Sequence, residues 1–220
     1  CERCGRADGV TPRFRSINVR LRERLDLYAN VRPVRFLPGV PSPNRFAERV
    51  DFVIVRESTE DLYAGYDFEM GSETAMALIA LIREKTGRDI APDSGIGIKH
   101  ISRSATERIV RRALCWARDH GLSSVTIVHK GNVMKSTEGS FCAWGYGLAE
   151  REFKDLALTE ARLQDELDGS MPTGKILLKD RIADAVFQQI QLRPEDFSVL
   201  VMPNLNADYL CDAAAALVGG

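Results

Sequence analysis

Two hydrophobic patterns alternate along the chain: short apolar runs rich in β-branched residues, and longer stretches in which apolar residues recur every three or four positions. The first pattern is typical of buried strands and the second of amphipathic helices. Strands are predicted over 31–36, 51–56, 95–99, 124–128, 176–178 and 197–202. Helices are predicted over 15–28, 73–86, 104–120, 137–153 and 180–192, and again after 206. This alternation predicts an α/β fold.

Residues at the ends of these segments sharpen the helix assignments. Gly87 is expected to end the helix over 73–86 as a C′ glycine. Ser104 and Glu107 have the spacing of a capping box, which predicts the start of the next helix. Residues 154–175 are charged and without period, so they are predicted to form an exposed, irregular excursion. The first helix should carry an apolar stripe formed by Ile17, Leu21 and Leu25.

Composition excludes several classes of protein. The chain has 220 residues, 45% hydrophobic and 28% charged, with a net charge of −1, so it can bury a core and is a poor candidate for nucleic-acid binding. It has no apolar run near the roughly 18 residues of a spanning helix, so no membrane partner is expected. Five cysteines with only one CxxC pair fit a reducing cytoplasm. The chain begins without Met and stops in mid-pattern at Gly220, so a fragment is expected.

Polar and charged residues follow the predicted strands, where open α/β sheets bind ligands. Lys130 follows the strand over 124–128. Arg22, Arg32 and Arg56 each lie near the end of an element and could together bind several carboxylates. The alternative is that they are solvated surface arginines.

Two pairs of aspartates have helical spacing. Asp208 and Asp212 should project from one face of a helix, and hard oxygen donors of this kind suit Mg²⁺ or Mn²⁺. The alternative is that both simply favour the positive end of the helix dipole. Asp180 and Asp184 repeat the spacing on the preceding helix, and Asp184 is expected to point partly inward, where it would need a cation.

Lys130 and Tyr63 are the candidates for proton transfer. Nearby cations or a metal can lower the pKa of a lysine or a tyrosine toward the working pH. His129 lies closer to the strand and is interpreted as a structural histidine.

Several long motifs together resemble one family. They are Arg15-Ser-Ile-Asn-Val-Arg-Leu-Arg22, Val31-Arg-Pro-Val-Arg35, Arg56-Glu-Ser-Thr-Glu-Asp-Leu-Tyr-Ala-Gly65, Val128-His-Lys-Gly-Asn-Val-Met-Lys-Ser-Thr-Glu-Gly139, Trp144-Gly-Tyr146 and Asn204-Leu-Asn-Ala-Asp-Tyr209. In this order they resemble the β-decarboxylating dehydrogenases, the isocitrate/isopropylmalate dehydrogenase family, and within it the bacterial-type isocitrate enzymes. The resemblance covers nearly everything from Phe14 onward.

The resemblance implies a metal-dependent oxidative decarboxylation of isocitrate to 2-oxoglutarate. It implies that NADP, or less readily NAD, is reduced, and that the metal is Mg²⁺ or Mn²⁺. The implied substrate-binding residues are Ser16, Asn18, Arg22, Arg32 and Arg56. The implied metal ligands are Asp208 and Asp212, with Asp184 from the other subunit. The implied catalytic residues are Tyr63, as the acid that protonates the enolate, and Lys130, from the other subunit. Asn132 and Gln189 match positions near the nicotinamide.

The resemblance also implies a homodimer with shared active sites and a division into domains. Residues 1–27 would belong to a large domain, 28–61 with 102–215 to a small dimer-forming domain, 62–101 to a clasp-like dimerisation insert, and 216–220 to the start of the return to the large domain.

The chain departs from the family pattern at several points. Ser58 stands where an Asn is usual, Ala207 where a Gly is usual, and the segment before Phe14 does not match. The family's amino-terminal strands and its adenosine-binding part are not covered, so the polypeptide alone is expected to be inactive. Isopropylmalate or tartrate specificity is the alternative within the fold, but Ser16 and Asn18 favour isocitrate. A non-catalytic regulatory subunit is disfavoured because the implied catalytic and metal residues are all present.

Overall fold

The structure, a computed structural model, describes residues 17–220, apart from the side chains of residues 18–20, 23 and 166. Its eight strands are β1 (Ala29–Arg35), β2 (Asp51–Glu57), β3 (Asp67–Phe68), β4 (Ile96–Gly97), β5 (Ser124–His129), β6 (Ala157–Thr159), β7 (Ile176–Ile182) and β8 (Val199–Met202). Six of them form a mixed sheet in the order β1-β2-β8-β5-β7-β6, in which only the pairing of β1 with β2 is antiparallel. Strands β3 and β4 form a separate antiparallel ribbon. The predicted α/β class is confirmed.

Seven helices accompany the strands. They are α1 (Ile17–Arg24), α2 (Glu73–Thr86), α3 (Arg103–Asp119), α4 (Ser140–Glu152), α5 (Glu160–Leu167), α6 (Ala183–Leu192) and α7 (Asn204–Ala216). Three short 3-10 helices cover Ala47–Arg49, Asp61–Ala64 and Pro194–Asp196, and a π-helical turn over Lys135–Gly139 precedes α4. No described helix is both long enough and apolar enough to cross a membrane.

The sheet is buried on both faces because its central strands are continuously apolar. In β8, Val199 and Val201 pack into a core shared with α3 and α4, whereas Leu200 and Met202 pack into a second core shared with α6 and α7. This alternation is the period of two expected of a strand. A strand covered on both faces reads as a continuous apolar run, which explains the sequence pattern.

The parallel arrangement brings four strand ends together. Strands β2, β5, β7 and β8 all point the same way, so their carboxyl ends lie along one edge of the sheet. Every predicted site residue that follows one of these strands therefore lies along this edge, which we call the carboxyl edge.

The predicted excursion over 154–175 is wrong in part, because it contains β6 and α5. Leu158 is buried and adds a sixth strand to the sheet beside β7. The hydroxyl of Thr159 then accepts a hydrogen bond from the backbone N–H of Arg162, which begins α5. The strand is only three residues long, too short to produce a clear period in the sequence.

The predicted boundary between the strand at 176 and the helix at 180 is also wrong. Strand β7 continues to Ile182 because its whole length pairs with β5, including Ile127 with Asp180. Asp180 therefore lies in a strand, and it does not share a helix face with Asp184.

The starts of α3 and α4 and the surroundings of α1 differ from the sequence prediction. Helix α3 is capped by Ser102, whose hydroxyl accepts from the N–H of Ala105, and not by Ser104. Glu107 pairs with Arg103 instead of closing a capping box. The helix expected from Thr137 begins as α-helix at Ser140, after the π-helical turn. In α1, the expected apolar stripe is exposed, with Ile17 at 76%, because no described element covers it.

Candidate functional site

The carboxyl edge holds a compact group that we call the Arg56 cluster: Arg56, Tyr63, Asp208 and Asn204. Arg56 is the second-last residue of β2, and only 2% of its surface is exposed. Its Nε donates to Oδ1 of Asn204 at 2.8 Å, and its terminal nitrogen pairs with Asp208. Tyr63 donates its hydroxyl proton to the other oxygen of Asp208 at 2.5 Å, and its ring lies 5.1 Å from the Arg56 guanidinium. A buried arginine, a phenol and a carboxylate are thus held in mutual contact.

The contacts in the Arg56 cluster shift two pKa values. Burial, followed by the hydrogen bond and charge of Asp208, raises the pKa of Tyr63 to about 12, although Arg56 opposes this. Burial also raises the pKa of Asp208, but the hydrogen bonds from Tyr63 and Arg56 and the charge of Arg56 outweigh it and keep the pKa below its usual range. The expectation of a lowered tyrosine pKa is therefore wrong here. Tyr63 carries its proton, and Asp208 is ionised.

The other predicted substrate residues are placed in different ways. Arg32 lies half-buried on β1, and its charge contributes to the lowered pKa of Asp208. Arg22, on α1, lines a cavity of about 520 Å³ together with Tyr63 and His100. Ser16 and the side chain of Asn18 lie outside the described residues.

A second group lies after β5 and β7, where Nζ of Lys130 pairs with Asp184. The Asp184 side chain is 66% exposed, so the prediction that it points inward is wrong. The hydrogen bond from Lys130 lowers the pKa of Asp184. Within the described residues, no hydrogen bond or ion pair connects Lys130 or Asp184 directly to the Arg56 cluster. One chain therefore carries two separate groups of predicted site residues.

The backbone that presents Lys130 is tightly held. Its N–H donates to Oε2 of Glu138 at 2.5 Å, and the next N–H, of Gly131, donates to Nδ1 of His129 at 2.9 Å. A Cβ on Gly131 would lie 2.6 Å from Cα of Gly139 and 2.8 Å from Nδ1 of His129. No side chain fits there without moving backbone.

Replacing Gly131 by alanine is expected to lower the free energy of unfolding by about 1–3 kcal/mol, because the added methyl overlaps backbone atoms. The matched control is Gly147→Ala, at an exposed site in α4 where an added Cβ meets nothing within 4 Å. That control should gain about 0.5–1 kcal/mol, since alanine favours a helix over glycine. Chemical denaturation of the chain measures both values, and equal stability for Gly131→Ala and the unchanged chain would contradict the steric argument.

His129 is structural, as expected from the sequence. It is buried, and its Nε2 lies 3.1 Å from Oδ2 of Asp180, whose Oδ1 accepts from the Tyr146 hydroxyl at 2.8 Å. Because Nδ1 accepts from the N–H of Gly131, the proton of the neutral ring is on Nε2 and points at Asp180. The hydrogen bond from His129, together with that from Tyr146, lowers the pKa of Asp180 against the effect of burial.

Among the described residues, the group of three potential metal ligands within 4.8 Å is His129, Cys142 and Asp180. Within this group His129 and Asp180 are joined by a hydrogen bond, and burial raises the pKa of the neighbouring Cys142 thiol to about 12.

The predicted metal ligands fit a hard cation in chemistry. Asp208 and Asp212 both lie on α7, and Asp212 is exposed. Their carboxylate oxygens are the donors that Mg²⁺ and Mn²⁺ prefer, and such ions keep water or substrate oxygens as their other ligands. Asp184 does not join these two aspartates within 4.8 Å among the described residues.

The two residues predicted near the cofactor lie on the segments that carry the Lys130 group. Asn132 is exposed and follows Lys130 by two positions, and Gln189 is half-buried on α6, the helix that carries Asp184. None of the described contacts joins the two residues.

Several residues of the site were missed by sequence reasoning. Asn204, Asp61 and Glu138 are buried, whereas the Lys99 side chain is 14% exposed. Asn204, Asp61 and Glu138 each contact a predicted site residue or the helix that carries Asp208, and Lys99 pairs with Asp61 and Glu138. The sequence carries a signal only for Asn204, a polar residue two positions after a buried strand.

Fold and site together define an α/β protein of the kind that binds ligands along the carboxyl edge of its sheet, with arginine, tyrosine and carboxylate side chains collected there. Residues 6–220 match the sequence profile of the isocitrate/isopropylmalate dehydrogenase family, and the chain belongs to that family.

Relatives and solved structures support the same assignment. The chain is 55% identical over 207 residues to the protein named isocitrate dehydrogenase (NADP) of Archaeoglobus fulgidus, covering 94% of this chain and 50% of that protein. It is 50% identical to the protein of the same name of Caldococcus noboribetus, with 94% and 48% covered. The crystal structure of isocitrate dehydrogenase from Methylococcus capsulatus superposes with a TM-score of 0.71 at 34% identity, over 96% of this chain and 50% of that one. The chain thus spans about half the length of the curated relatives it matches.

Proposed function

We propose that the whole protein oxidatively decarboxylates isocitrate to 2-oxoglutarate in a metal-dependent reaction, with NADP, or NAD in its place, as hydride acceptor. The observation that carries the proposal is the Arg56 cluster. It combines a buried cation for a substrate carboxylate, a protonated phenol and an ionised metal-type ligand within hydrogen-bonding distance of one another. The names of the relatives favour isocitrate and NADP.

Arginines are proposed to bind the substrate carboxylates. Arg56 is oriented by Asn204, so its fork is fixed before substrate arrives. Arg32 and Arg22 would supply further positive charge, as suits a tricarboxylate. Ser16 and Asn18 are proposed to complete the site.

Asp208 and Asp212 are proposed to hold Mg²⁺ or Mn²⁺, with the partner subunit's Asp184 as the third ligand. The ion would supply Lewis-acid stabilisation of the substrate's hydroxyl and carboxylate oxygens. To bind it, Asp208 would exchange the contacts with Arg56 and Tyr63 for the cation and thereby free both side chains to face the substrate.

Two proton transfers are proposed. The partner subunit's Lys130 would take the hydroxyl proton of the substrate, and the nicotinamide, when bound, would supply the hydride acceptor. After CO₂ leaves, Tyr63 donates its proton to the carbon that carried the lost carboxylate. Burial is the largest cause of the raised pKa of Tyr63 and does not depend on Asp208, so it supports a protonated phenol in the role of acid.

A homodimer with shared sites is proposed because Lys130 and Asp184 lie together, apart from the Arg56 cluster. The predicted insert over 62–101 is the proposed dimer contact, since Met70, Met76 and Leu81 expose apolar surface there.

The proposed domain division is unchanged from the sequence prediction. Residues 1–27 belong to the large domain, 28–61 with 102–215 to the small domain, 62–101 to the insert, and 216–220 to the return to the large domain. Asn132 and Gln189 are proposed to face the nicotinamide, and the cytoplasm is the proposed location.

An assay of the whole protein tests this function. Isocitrate with Mg²⁺ or Mn²⁺ should reduce NADP, as followed by the absorbance of the reduced nicotinamide, and removal of the metal with a chelator should abolish the rate. Isopropylmalate and tartrate are the comparison substrates, and NAD is the comparison cofactor. If either comparison substrate were turned over faster than isocitrate, it would become the proposed substrate. If none of the three substrates were turned over, a regulatory subunit would be favoured.

The 220-residue polypeptide alone is proposed to be inactive. Isocitrate-dependent reduction of NADP by this polypeptide would overturn that proposal.

A further inference from the structure

A buried group of charges lies between the two groups of site residues. Nζ of Lys99 pairs with Oδ1 of Asp61 and lies 2.9 Å from Oε1 of Glu138, an ion pair without hydrogen-bond alignment. Asp61 is 1% exposed, Glu138 is fully buried, and the Lys99 side chain is 14% exposed. One ammonium thus faces two carboxylates, and buried charges of this kind persist only when further polar contacts satisfy them.

Those further contacts lead to the elements of the site. Oε2 of Glu138 accepts from the N–H of Lys130 at 2.5 Å and from the side-chain amide of Asn206, on α7, at 2.7 Å. Oδ2 of Asp61 accepts from the N–H of Leu205 at 2.9 Å. One cluster therefore holds both the backbone of Lys130 and the first turn of α7.

The hydrogen bond from the N–H of Leu205 to Asp61 caps the start of α7. Helix α7 begins after Pro203, which provides no side-chain cap, so its first N–H groups need an acceptor from elsewhere. Asp61 supplies that acceptor from a distant part of the chain and places a negative charge at the positive end of the helix dipole. Asp61 does so in the left-handed region, at φ 73°, a conformation that costs energy for a residue other than glycine. The position of Asp208 on α7 depends on this cap.

The same cluster closes the base of the insert over 62–101. The N–H of Asp61 donates to the carbonyl of His100 at 3.1 Å, and Lys99 lies near the end of the insert, shortly before α3. The N–H of Ser102 also donates to Glu60 at 2.7 Å. Lys99 thus joins the insert to both groups of site residues.

We propose that Lys99, Asp61 and Glu138 form a positioning cluster that fixes the Lys130 loop and the start of α7 against the base of the insert. The inference rests on the proposed function, because it assigns these residues the task of aligning Lys130 and the Tyr63–Asp208 pair. None of the three contacts the substrate in this scheme, so they are positioning residues.

Lys99→Met in the whole protein is the first test. It should lower kcat for isocitrate about 100-fold, since displacement of a reactive group by about 1 Å has an effect of that order. The KM for isocitrate should change less than about threefold because the arginines that bind the carboxylates are untouched. The matched control is Lys85→Met, an exposed lysine on α2 of the same insert, whose kcat should be unchanged. A folded Lys99→Met variant with normal kcat would overturn the proposal.

Amide hydrogen exchange tests positioning without turnover. By NMR, the amides of Lys130 and Leu205 should exchange about tenfold faster in Lys99→Met than in the unchanged protein, because their acceptors lose the lysine that orients them. If the unchanged protein turns over no isocitrate, the proposed function fails, while this measurement still decides the positioning role. Unchanged exchange at both amides would refute that role.

Asn206→Ala keeps the proposal testable if Lys99→Met does not fold. It removes one hydrogen bond to Glu138 without leaving a buried charge unpaired. It should lower kcat about tenfold and speed exchange at the Lys130 amide, since it loosens α7 from the Lys130 loop. Normal kcat together with normal exchange would count against the cluster.

Discussion

Lys130→Met is expected to lower kcat of the whole protein about 1,000-fold while leaving the dimer intact, because it removes the proposed proton acceptor and no core contact. The side chain is half-exposed, and its only described partner is the exposed Asp184, so little stability should be lost. Light scattering checks the dimer, and steady-state kinetics checks kcat. Lys154→Met, at an exposed lysine, is the control and should be unaffected.

Mixed dimers test whether the two subunits share their active sites. A Lys130→Met chain keeps its Arg56 cluster, and an Asp208→Asn chain keeps its Lys130. If sites are shared, a mixed dimer has one site with both groups intact. Random mixing of the two inactive variants should therefore restore about a quarter of normal activity, since half the dimers are mixed and half their sites are intact. No recovery after confirmed subunit exchange would show that each chain builds its site alone.

Arg56→Met is expected to raise the KM for isocitrate roughly 100-fold, because a charge-assisted hydrogen bond is worth about 1.5–3 kcal/mol. The loss should be this large because Arg56 is buried and already oriented by Asn204. Titration of the initial rate with isocitrate measures the effect. Arg35→Met is the control: Arg35 lies on the neighbouring strand β1 and forms a two-bond pair with Asp51, but both side chains are exposed.

Folding must be separated from binding in that experiment, since Arg56→Met leaves the buried oxygen of Asn204 without its donor. Arg56→Lys keeps the charge but cannot reach Asn204 and Asp208 together as a planar fork. Its KM should lie between those of the unchanged protein and Arg56→Met. A normal KM in either folded variant would exclude Arg56 from substrate binding.

The elements that the sequence predicted well are those whose pattern is local. An unbroken apolar run predicts β8, because a strand covered on both faces has no polar face, and the helical period of α3 repeats over its 17 residues. Short or irregular elements were misread. Strand β6 is three residues long, and the full length of β7 depends on its pairing with β5, which lies about fifty positions earlier in the chain.

For the site, the sequence by itself identified Arg56, Tyr63, Lys130 and Asp208 as candidates, since each follows a predicted strand or lies on a helix after one. Only the tertiary structure decided how they group. It joined Arg56 and Tyr63 to Asp208, placed Lys130 with Asp184 instead, and revealed Lys99, Asp61 and Glu138 between them. The physical reason is that local patterns report which face of an element is buried, whereas a buried charge takes partners from distant parts of the chain that only the packing of the sheet brings together.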